Sequence, residues 1–309
     1  MIPDSMMEKN AIQFDSVPKA LPRPAEPRRL ILYAFADWAV IAAVWLAAPH
    51  APVWLYPLWV VLLAGRFHAL GVVLHDAVHL HMRRKSAAVR VVELLAGYPV
   101  GTTLEAMRYH HLRHHANVGL AADPYLKPWV GSSALRHWLI SVRYFLLTPL
   151  WIVRGLYGTI AFHVPALRPS YGRWFLQDRS GQDLTSHGEV IACAREEHWQ
   201  LLFYLCVGAL AAVWPRPLLE FYVVPLVLAG YLAGLRLLYE HEQERRHDSS
   251  VEAIERSAHN HHLGLLDRMF LTPHNVGYHQ THHLHPQAAL ENLPRISEWR
   301  RRNKPSYVG

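Results

Sequence analysis

The chain has 309 residues, enough for one or two soluble domains or for one compact membrane protein. Hydrophobic residues make up 51% and charged residues 18%, yet the mean hydropathy is only +0.03, so long apolar runs must alternate with strongly polar stretches. Two cysteines exclude a disulfide framework, and the net charge of +7 lies beside apolar runs, which favours a membrane protein over a nucleic-acid-binding one.

The N-terminal segment 1–29 is rich in proline and poor in large apolar residues, which predicts a flexible cytoplasmic tail. It lacks the charged start, apolar core and cleavage site of a signal peptide. We expect a membrane domain to follow over 30–295, and a short basic tail over 296–309.

Four apolar runs predict four transmembrane helices, at 30–48, 53–81, 199–214 and 218–239. A single helix over 53–81 would be about 43 Å long, which exceeds the bilayer core, so its far end should project into the cytosol. The fourth run also extends past the membrane, through Arg236, Glu240, His241 and Glu242. The sequence therefore predicts an all-α integral membrane protein with both termini on the cytoplasmic face, in which two long helices support a histidine-rich cap.

Two further apolar stretches are ambiguous. Arginines recur at helical spacing over 134–167 and Pro149 interrupts the run, so we expect one or two helices in the membrane interface rather than a spanning hairpin. We expect the same placement for 89–103. Asp37 lies inside the first span and needs a partner, for which Arg66 and His68 are candidates; it could also mark the polar end of a substrate tunnel.

Three histidine clusters carry the chemical signal. Each places imidazoles three or four residues apart, a spacing that puts side chains on one face of a helix. Imidazoles that converge in this way are good ligands for iron, zinc, copper or nickel. The clusters are His75 and His79; His111, His114 and His115; and His279, His282 and His283.

These clusters resemble the three histidine boxes of the membrane fatty-acid desaturase and hydroxylase superfamily. Asp123-Pro124 after the second cluster and the segment from Asn275 to Pro286 around the third are similar to the family's pattern as well. The resemblance covers about 30–295. It implies a four-span bundle and a cytosol-facing, non-haem di-iron centre held mostly by histidine.

The resemblance implies nine iron ligands. Eight are the cluster histidines, and the ninth is a histidine at the cytosolic end of the fourth span, for which His241 fits better than His247. Five further residues are candidates to support the centre. Four are acids, because a metal-bound imidazole usually donates its other N–H to a carboxylate or carbonyl: Asp76, Glu240, Asp123 and Asp267. The fifth, Asn275, is a candidate to bind a metal-bridging water, with a turn residue before the third cluster as the alternative. Other nearby histidines are expected to be supporting, structural or exposed: His81, His110, His285, His259, His261 and His262.

The implied activity is an O2-dependent, two-electron oxidation of a C–H bond in a lipid-soluble substrate. Among such reactions, the resemblance favours desaturation of a fatty acyl chain. The chain lacks a fused cytochrome b5-type motif, so electrons should come from a separate ferredoxin, rubredoxin or cytochrome and its reductase. The expected location is a bacterial inner membrane.

Alternative functions stay open. A hydroxylase, a carotenoid ketolase or hydroxylase, and a fatty-acid decarboxylase belong to the same superfamily, and their products would distinguish them. A metal transporter is more distant. It would need several polar residues at mid-depth in the spans, whereas this sequence has only Asp37, with Arg66 and His68 near an edge. A zinc peptidase needs His-Glu-x-x-His, which the spacing from His241 to His247 does not match.

Overall fold

The computed structural model describes residues 17–18, 21–82, 84–131, 133–243, 250–261 and 264–303. Within these ranges the chain is helical and contains no strand, apart from one isolated antiparallel bridge between His241 and Ala258. The α-helices are α1 Pro27–Ala47, α2 Tyr56–Ala77, α3 Ala87–Val92, α4 Leu104–Asn117, α5 Ala134–Arg143, α6 Leu147–His163, α7 Arg168–Ser170, α8 Gly188–Val213, α9 Pro215–Leu218, α10 Val224–Glu240, α11 Val251–Ser257, α12 His279–Leu284 and α13 Leu293–Asn303.

Short 3-10 and π segments join these helices. The 3-10 segments are Ala48–His50, Val53–Leu55, Tyr98–Val100, Tyr144–Leu146, Pro165–Leu167 and Pro273–Asn275. The π segments are Glu93–Gly97, Tyr171–Phe175, Leu219–Val223 and Asp267–Leu271. The predicted domain limits at 30 and 296 both fall inside helices, because α1 begins at Pro27 and α13 begins at Leu293.

Four helical segments are long and apolar enough to cross a membrane: Pro27–His50, Val53–Ala77, Ala134–His163 and Pro215–Glu240. Three of them match predicted spans. The predicted span 199–214 is instead the second half of α8, and the first half of that helix carries the buried charged residues Glu196 and Glu197. Segment 134–167, which we expected in the interface, supplies the remaining candidate through α5 and α6.

The two long helices end earlier than predicted. The second helix stops at Ala77, because the carbonyls of Val78 and Leu80 accept hydrogen bonds from Arg108 at 2.7 and 3.1 Å instead of from a further helical turn. The fourth ends at Glu240, and the extended backbone of His241 pairs with Ala258. His75 and His79 therefore lie at the end of α2, and His241 lies directly after α10. Neither helix continues past these histidines as a projecting helix.

The segment 89–103 packs against three of the candidate spans. Trp38 on α1 donates to the carbonyl of Leu95 at 2.8 Å, and the hydroxyl of Tyr222 donates to the carbonyl of Pro99 at 2.7 Å. Ala96 and Val100 join the main apolar core between α1 and α2. This packing holds the beginning of α4 against the middle of α2.

Asp37 on α1 has the predicted partner. Arg66 on α2 donates to its Oδ1 at 3.0 Å, and His274 contacts its Oδ2 at 2.8 Å. Arg66 also donates to the carbonyl of Met269, while His68 lies 2.7 Å from the carbonyl of Phe270. The polar groups of the first two helices thus bind the loop that precedes the third histidine cluster, and Asp37 does not line the large cavity described below.

Candidate metal centre

The helices bring all three clusters to one place. His75 lies in the last turn of α2, and His79 lies just beyond its end. The second cluster occupies one face of α4, as its spacing predicts, and the third occupies the short helix α12. His241 joins them directly after α10, while the alternative His247 lies outside the described residues.

One set of four buried imidazoles could hold a metal ion. It contains histidines from all three clusters, and one ring nitrogen of each lies within 4.8 Å of the others: His75, His79, His111 and His282. The Nε2 atoms of His79 and His111 are 3.1 Å apart. Both ring nitrogens of His282 are buried without a hydrogen-bond partner among the described residues.

A second set of four lies beside the first and consists of His114, His241, His279 and His283. The Nε2 atom of His241 lies 2.9 Å from that of His114, 2.9 Å from that of His279 and 3.1 Å from that of His283. In a tetrahedral site with metal–nitrogen bonds of about 2.1 Å, neighbouring nitrogens lie about 3.4 Å apart. The second set therefore has nearly the dimensions of a metal site.

His115 lies between the two sets. Its Nε2 is 2.9 Å from that of His111 in the first set, and its ring stacks on His283 of the second set at a centroid distance of 4.3 Å. The structure thus brings all nine histidines of the sequence prediction into one group.

In each imidazole, the ring nitrogen that faces away from the other histidines is called the outer nitrogen. The hydrogen bonds of the outer nitrogens test whether a metal ion fits between the inner ones. The Nδ1–H of His241 must donate to the carbonyl of Leu237 at 3.0 Å, because a carbonyl only accepts. The Nδ1–H of His114 donates to the carboxylate of Asp123 at 2.8 Å. In a neutral imidazole this leaves a lone pair on each Nε2, and two lone pairs 2.9 Å apart repel unless a cation lies between them. The donor set therefore fits a bound metal ion.

Burial keeps these imidazoles neutral. Loss of hydration lowers the pKa of His79 and of His241 to about 3, and the nearby positive charge of Arg108 acts in the same direction on His79. The pKa values of His111 and His283 lie well below the ordinary value, with burial the main cause. Neutral imidazole is the form that binds a metal.

Two of the predicted supporting carboxylates contact the histidines. Asp123 binds His114 and is itself anchored by the backbone N–H groups of Gly119 and Tyr125, at 2.9 and 2.8 Å. Burial opposes ionisation of Asp123, but His114 and these N–H groups bring its net pKa below the ordinary value. Glu240 places Oε2 3.4 Å from Nδ1 of His279.

The other three predicted supporting residues lie elsewhere. Asp76 is buried beside the backbone of Leu290, and among the described residues it makes no ion pair with a cluster histidine. Asp267 begins the π segment before the third cluster. Asn275 has a left-handed backbone with φ 65°, and its carbonyl accepts from the N–H of Tyr278, so its visible role is to form the turn before α12.

Sequence reasoning missed several contacts around the centre. The hydroxyl of Tyr125 lies 2.8 Å from Nδ1 of His110, and its ring stacks on His114 at 4.3 Å. His261 is buried and lies 3.1 Å from Oε1 of Glu240. The position of Tyr125, two residues after Asp123, was a usable signal, because its N–H caps that carboxylate. His81 and His259 are exposed or partly exposed, His285 is buried, and His262 lies outside the described residues.

A cavity of about 790 Å³ opens beside the histidines, between α2, α4, α6 and α10. His75 and His111 of the first set and His241 and His279 of the second line it. Most of the remaining wall is apolar, and Phe67, Val72, Met107, Trp151, Leu226 and Ala229 belong to it. This volume and lining are typical of a site for an extended apolar ligand.

Comparison with known proteins agrees with this geometry. The chain is 25% identical over 287 residues to an sn-2 acyl-lipid omega-3 desaturase (ferredoxin), chloroplastic, from Helianthus annuus, a match that covers 88% of this chain and 62% of that protein. It is 26% identical over 268 residues to a dihydrorhizobitoxine desaturase from Bradyrhizobium elkanii, which covers 82% of this chain and 70% of the relative. The family profile described as fatty acid desaturase matches residues 52–308. A match over most of the chain, together with clustered histidines that can bind metal, shows that the protein belongs to the fatty acid desaturase family.

Proposed function

We propose that the protein is an O2-dependent membrane oxidoreductase that uses two non-haem iron ions to desaturate a fatty acyl chain or a similar lipid-soluble substrate. The observation that carries this proposal is the pair of adjacent, buried four-histidine sets beside an apolar cavity. Membership of the fatty acid desaturase family and two desaturase relatives support the reaction class.

Each set would hold one iron ion, and His115 lies where it could serve either ion. Iron bound there would supply the reduction of O2 that oxidation of an unactivated C–H bond requires. All-nitrogen ligation also suits zinc, so the assignment to iron rests on the family and not on the ligand type.

The surrounding residues keep the ligands in the binding tautomer. Asp123 and the carbonyl of Leu237 hold the Nδ1 protons of His114 and His241, which directs their Nε2 lone pairs inward. Glu240 lies beside Nδ1 of His279 and would hold the proton of that nitrogen in the same way. Tyr125 covers the face of His114 and limits the motion of that ring.

The cavity would hold the substrate with its reactive carbon at the histidines and exclude water from that carbon. Gly71 on α2 lines the cavity, and a Cβ at this position would meet nothing within 4 Å. The open space at Gly71 is therefore available to the substrate.

We also propose an external electron donor. The name of the Helianthus relative specifies ferredoxin, which makes a ferredoxin and its reductase the first donor to test. The net charge of +7 would favour association with an acidic carrier. The four candidate spans support a multi-pass membrane location, for which we propose that both termini and the metal centre face the cytoplasm.

Product analysis tests the function. The full chain is expressed with a ferredoxin and its reductase in a host that lacks its own desaturase, and lipids and isoprenoids are profiled by mass spectrometry. We expect a new alkene, which His282→Ala abolishes because both nitrogens of this buried imidazole lack other partners. An alcohol, ketone or terminal alkene would identify the hydroxylase, ketolase or decarboxylase branch instead.

Two variants guard against loss of folding. Gly71→Leu places a bulky side chain in the cavity but leaves every histidine in place, so it should lower the yield of product and retain iron. Gly208→Leu on the exposed face of α8, where a Cβ also meets nothing within 4 Å, is the matched control. If no oxidised product depends on His282 while the protein remains in the membrane with iron bound, the proposed function is wrong.

A further inference from the structure

The charge of the cavity wall does not match an uncharged substrate. Three cationic side chains line the cavity, Lys127, Arg143 and Arg236, against the single carboxylate of Glu240. The histidines of the wall are kept neutral by burial and do not change this balance. An apolar cavity for a plain hydrocarbon chain needs none of these cations.

Arg236 on α10 is the least satisfied of the three. Its side chain is only 12% exposed, and its Nε and Nη1 are buried without a hydrogen-bond partner among the described residues. The nearest carboxylate oxygen, on Glu240, is 3.7 Å away, which is too long for a hydrogen bond. Glu240 already lies 3.1 Å from His261 and 3.4 Å from His279.

The cost of this arrangement indicates a ligand. A buried donor without an acceptor destabilises the folded protein, and a charged donor does so more strongly. Arg236 also lies in a segment long and apolar enough to cross a membrane, where an ionisable side chain usually marks a functional site. The planar guanidinium offers adjacent N–H groups that match the two oxygens of a carboxylate or phosphate.

Lys127 strengthens the same preference. Its Nζ donates to the carbonyl of Pro124 at 2.8 Å, and no carboxylate forms an ion pair with it in the described part of the chain. Burial lowers the pKa of this amine to about 8, and the nearby positive charges of Arg179 and Arg143 contribute. The amine is therefore still largely protonated at neutral pH.

We propose that Arg236 binds an oxyanion of the substrate inside the cavity, so that the substrate is a lipid-soluble acid and not a neutral ester, alcohol or hydrocarbon. The inference rests on the proposed oxidase function and narrows its substrate class. Arg236 lies close to the metal centre, because Glu240 contacts both its guanidinium and His279 of the second set. The oxyanion would therefore fix the register of the chain relative to the histidines.

Direct binding tests the proposal without turnover. The full-length, iron-loaded protein in nanodiscs of neutral phospholipid is titrated with cis-parinaric acid and with the corresponding alcohol, by fluorescence. We expect the acid to bind about tenfold to a hundredfold more tightly than the alcohol, as for a hydrogen bond to a charged group. Displacement by palmitate and by hexadecyl phosphate then distinguishes a carboxylate from a phosphate head group.

Arg236→Met should remove the preference for the acid and leave the affinity for the alcohol within about twofold, whereas Arg236→Lys should retain part of the preference. Arg195→Met is the matched control, because this exposed arginine on α8 does not line the cavity. Equal binding of acid and alcohol by the unaltered protein, or an undiminished preference in Arg236→Met, would overturn the proposal. The comparison of the two ligands on the unaltered protein decides even if Arg236→Met fails to fold.

Failure of this inference is distinguishable from failure of the proposed function. An oxidised product without a preference for the acid leaves the oxidase function intact and refutes the role of Arg236. A preference that depends on Arg236, without any oxidised product in the expression host, supports the oxyanion site and counts against the oxidase function.

Discussion

At the scale of single residues, the metal centre depends on the groups that hold the outer nitrogen of each imidazole. The spacing of the clusters in the sequence predicted the candidate ligands, but not which acid supports which histidine. Asp123 supports His114 and Glu240 lies beside His279, whereas Asp76 and Asp267 lie away from the rings. Sequence neighbours of a ligand often point away from it, because adjacent side chains on a helix or turn face different directions.

Asp123→Asn should weaken one metal ion more than the other. Of the nine histidines, Asp123 forms a hydrogen bond with His114, a member of the second set, so loss of its charge should lower metal affinity there by about tenfold to a hundredfold. We expect the iron content, measured by mass spectrometry after dialysis against a chelator, to fall from two toward one ion per chain. Asp183→Asn, on an exposed loop, is the control. Retention of two chelator-resistant ions in Asp123→Asn would show that this carboxylate does not support the centre.

At the scale of secondary-structure elements, the loop before the third cluster is the part least evident in the sequence. Its two left-handed residues, His274 and Asn275, carry a backbone that costs energy outside glycine. Asp37 and Arg66 bind this loop from the two first helices. These long-range contacts, which local propensity does not encode, determine where α12 presents its histidines.

Gly65 on α2 should be intolerant of a side chain. A Cβ there would lie 2.7 Å from Phe270 and 2.8 Å from the carbonyl of Met269, so Gly65→Ala must displace the loop before α12. We expect a loss of about 1–3 kcal/mol in stability, seen as a lower midpoint of thermal unfolding in detergent, together with reduced iron content.

Gly71→Ala is the matched control on the same helix, because its Cβ would meet nothing within 4 Å. Alanine favours a helix over glycine by about 0.5–1 kcal/mol, so this variant should be at least as stable as the unaltered protein. A Gly65→Ala protein with unchanged midpoint and iron content would show that the close approach of the loop to α2 is dispensable.

At the scale of the whole molecule, we predict that Ala134–His163 enters and leaves the membrane on one side, although its length and composition would allow it to cross. Ile140 near the end of α5 packs with Leu238 at the end of α10, and Thr148 donates to the carbonyl of Leu226, deeper along that helix. α6 then returns along α8, where Arg154 binds Glu197 and His163 lies 3.1 Å from His198.

The two helices that pack against Ala134–His163 both meet α4, because α8 begins beside α4 and α10 ends beside it. Arg113 on α4 binds Glu189 at the start of α8, and His114 lies against His241 at the end of α10. We therefore predict that the second half of α8 is the remaining crossing, as the sequence analysis expects for 199–214. The polar first half of α8 would lie on the side of the metal centre, where Glu196 binds Lys85 and Arg90.

Single cysteines test this topology in a Cys206→Ser background, in which the buried Cys193 is retained. Cysteines at Leu135 and Gln182 should react with a membrane-impermeant maleimide from the same side of the membrane, and a cysteine at Val53 from the opposite side; all three positions are exposed. The measurement compares intact spheroplasts with inverted vesicles. Reaction of Leu135 and Gln182 from opposite sides would instead make Ala134–His163 a true crossing.

The sequence by itself determined the fold class, three of the four candidate spans, the family and the nine histidines, because apolar run length and helical spacing are local properties of the chain. Only the tertiary structure decided how the histidines divide into two sets, since each set draws members from separate helices. It also decided which acids support them, where α2 and α10 end, and that Arg236 faces the cavity. These features depend on contacts between residues far apart in the chain, which no local pattern records.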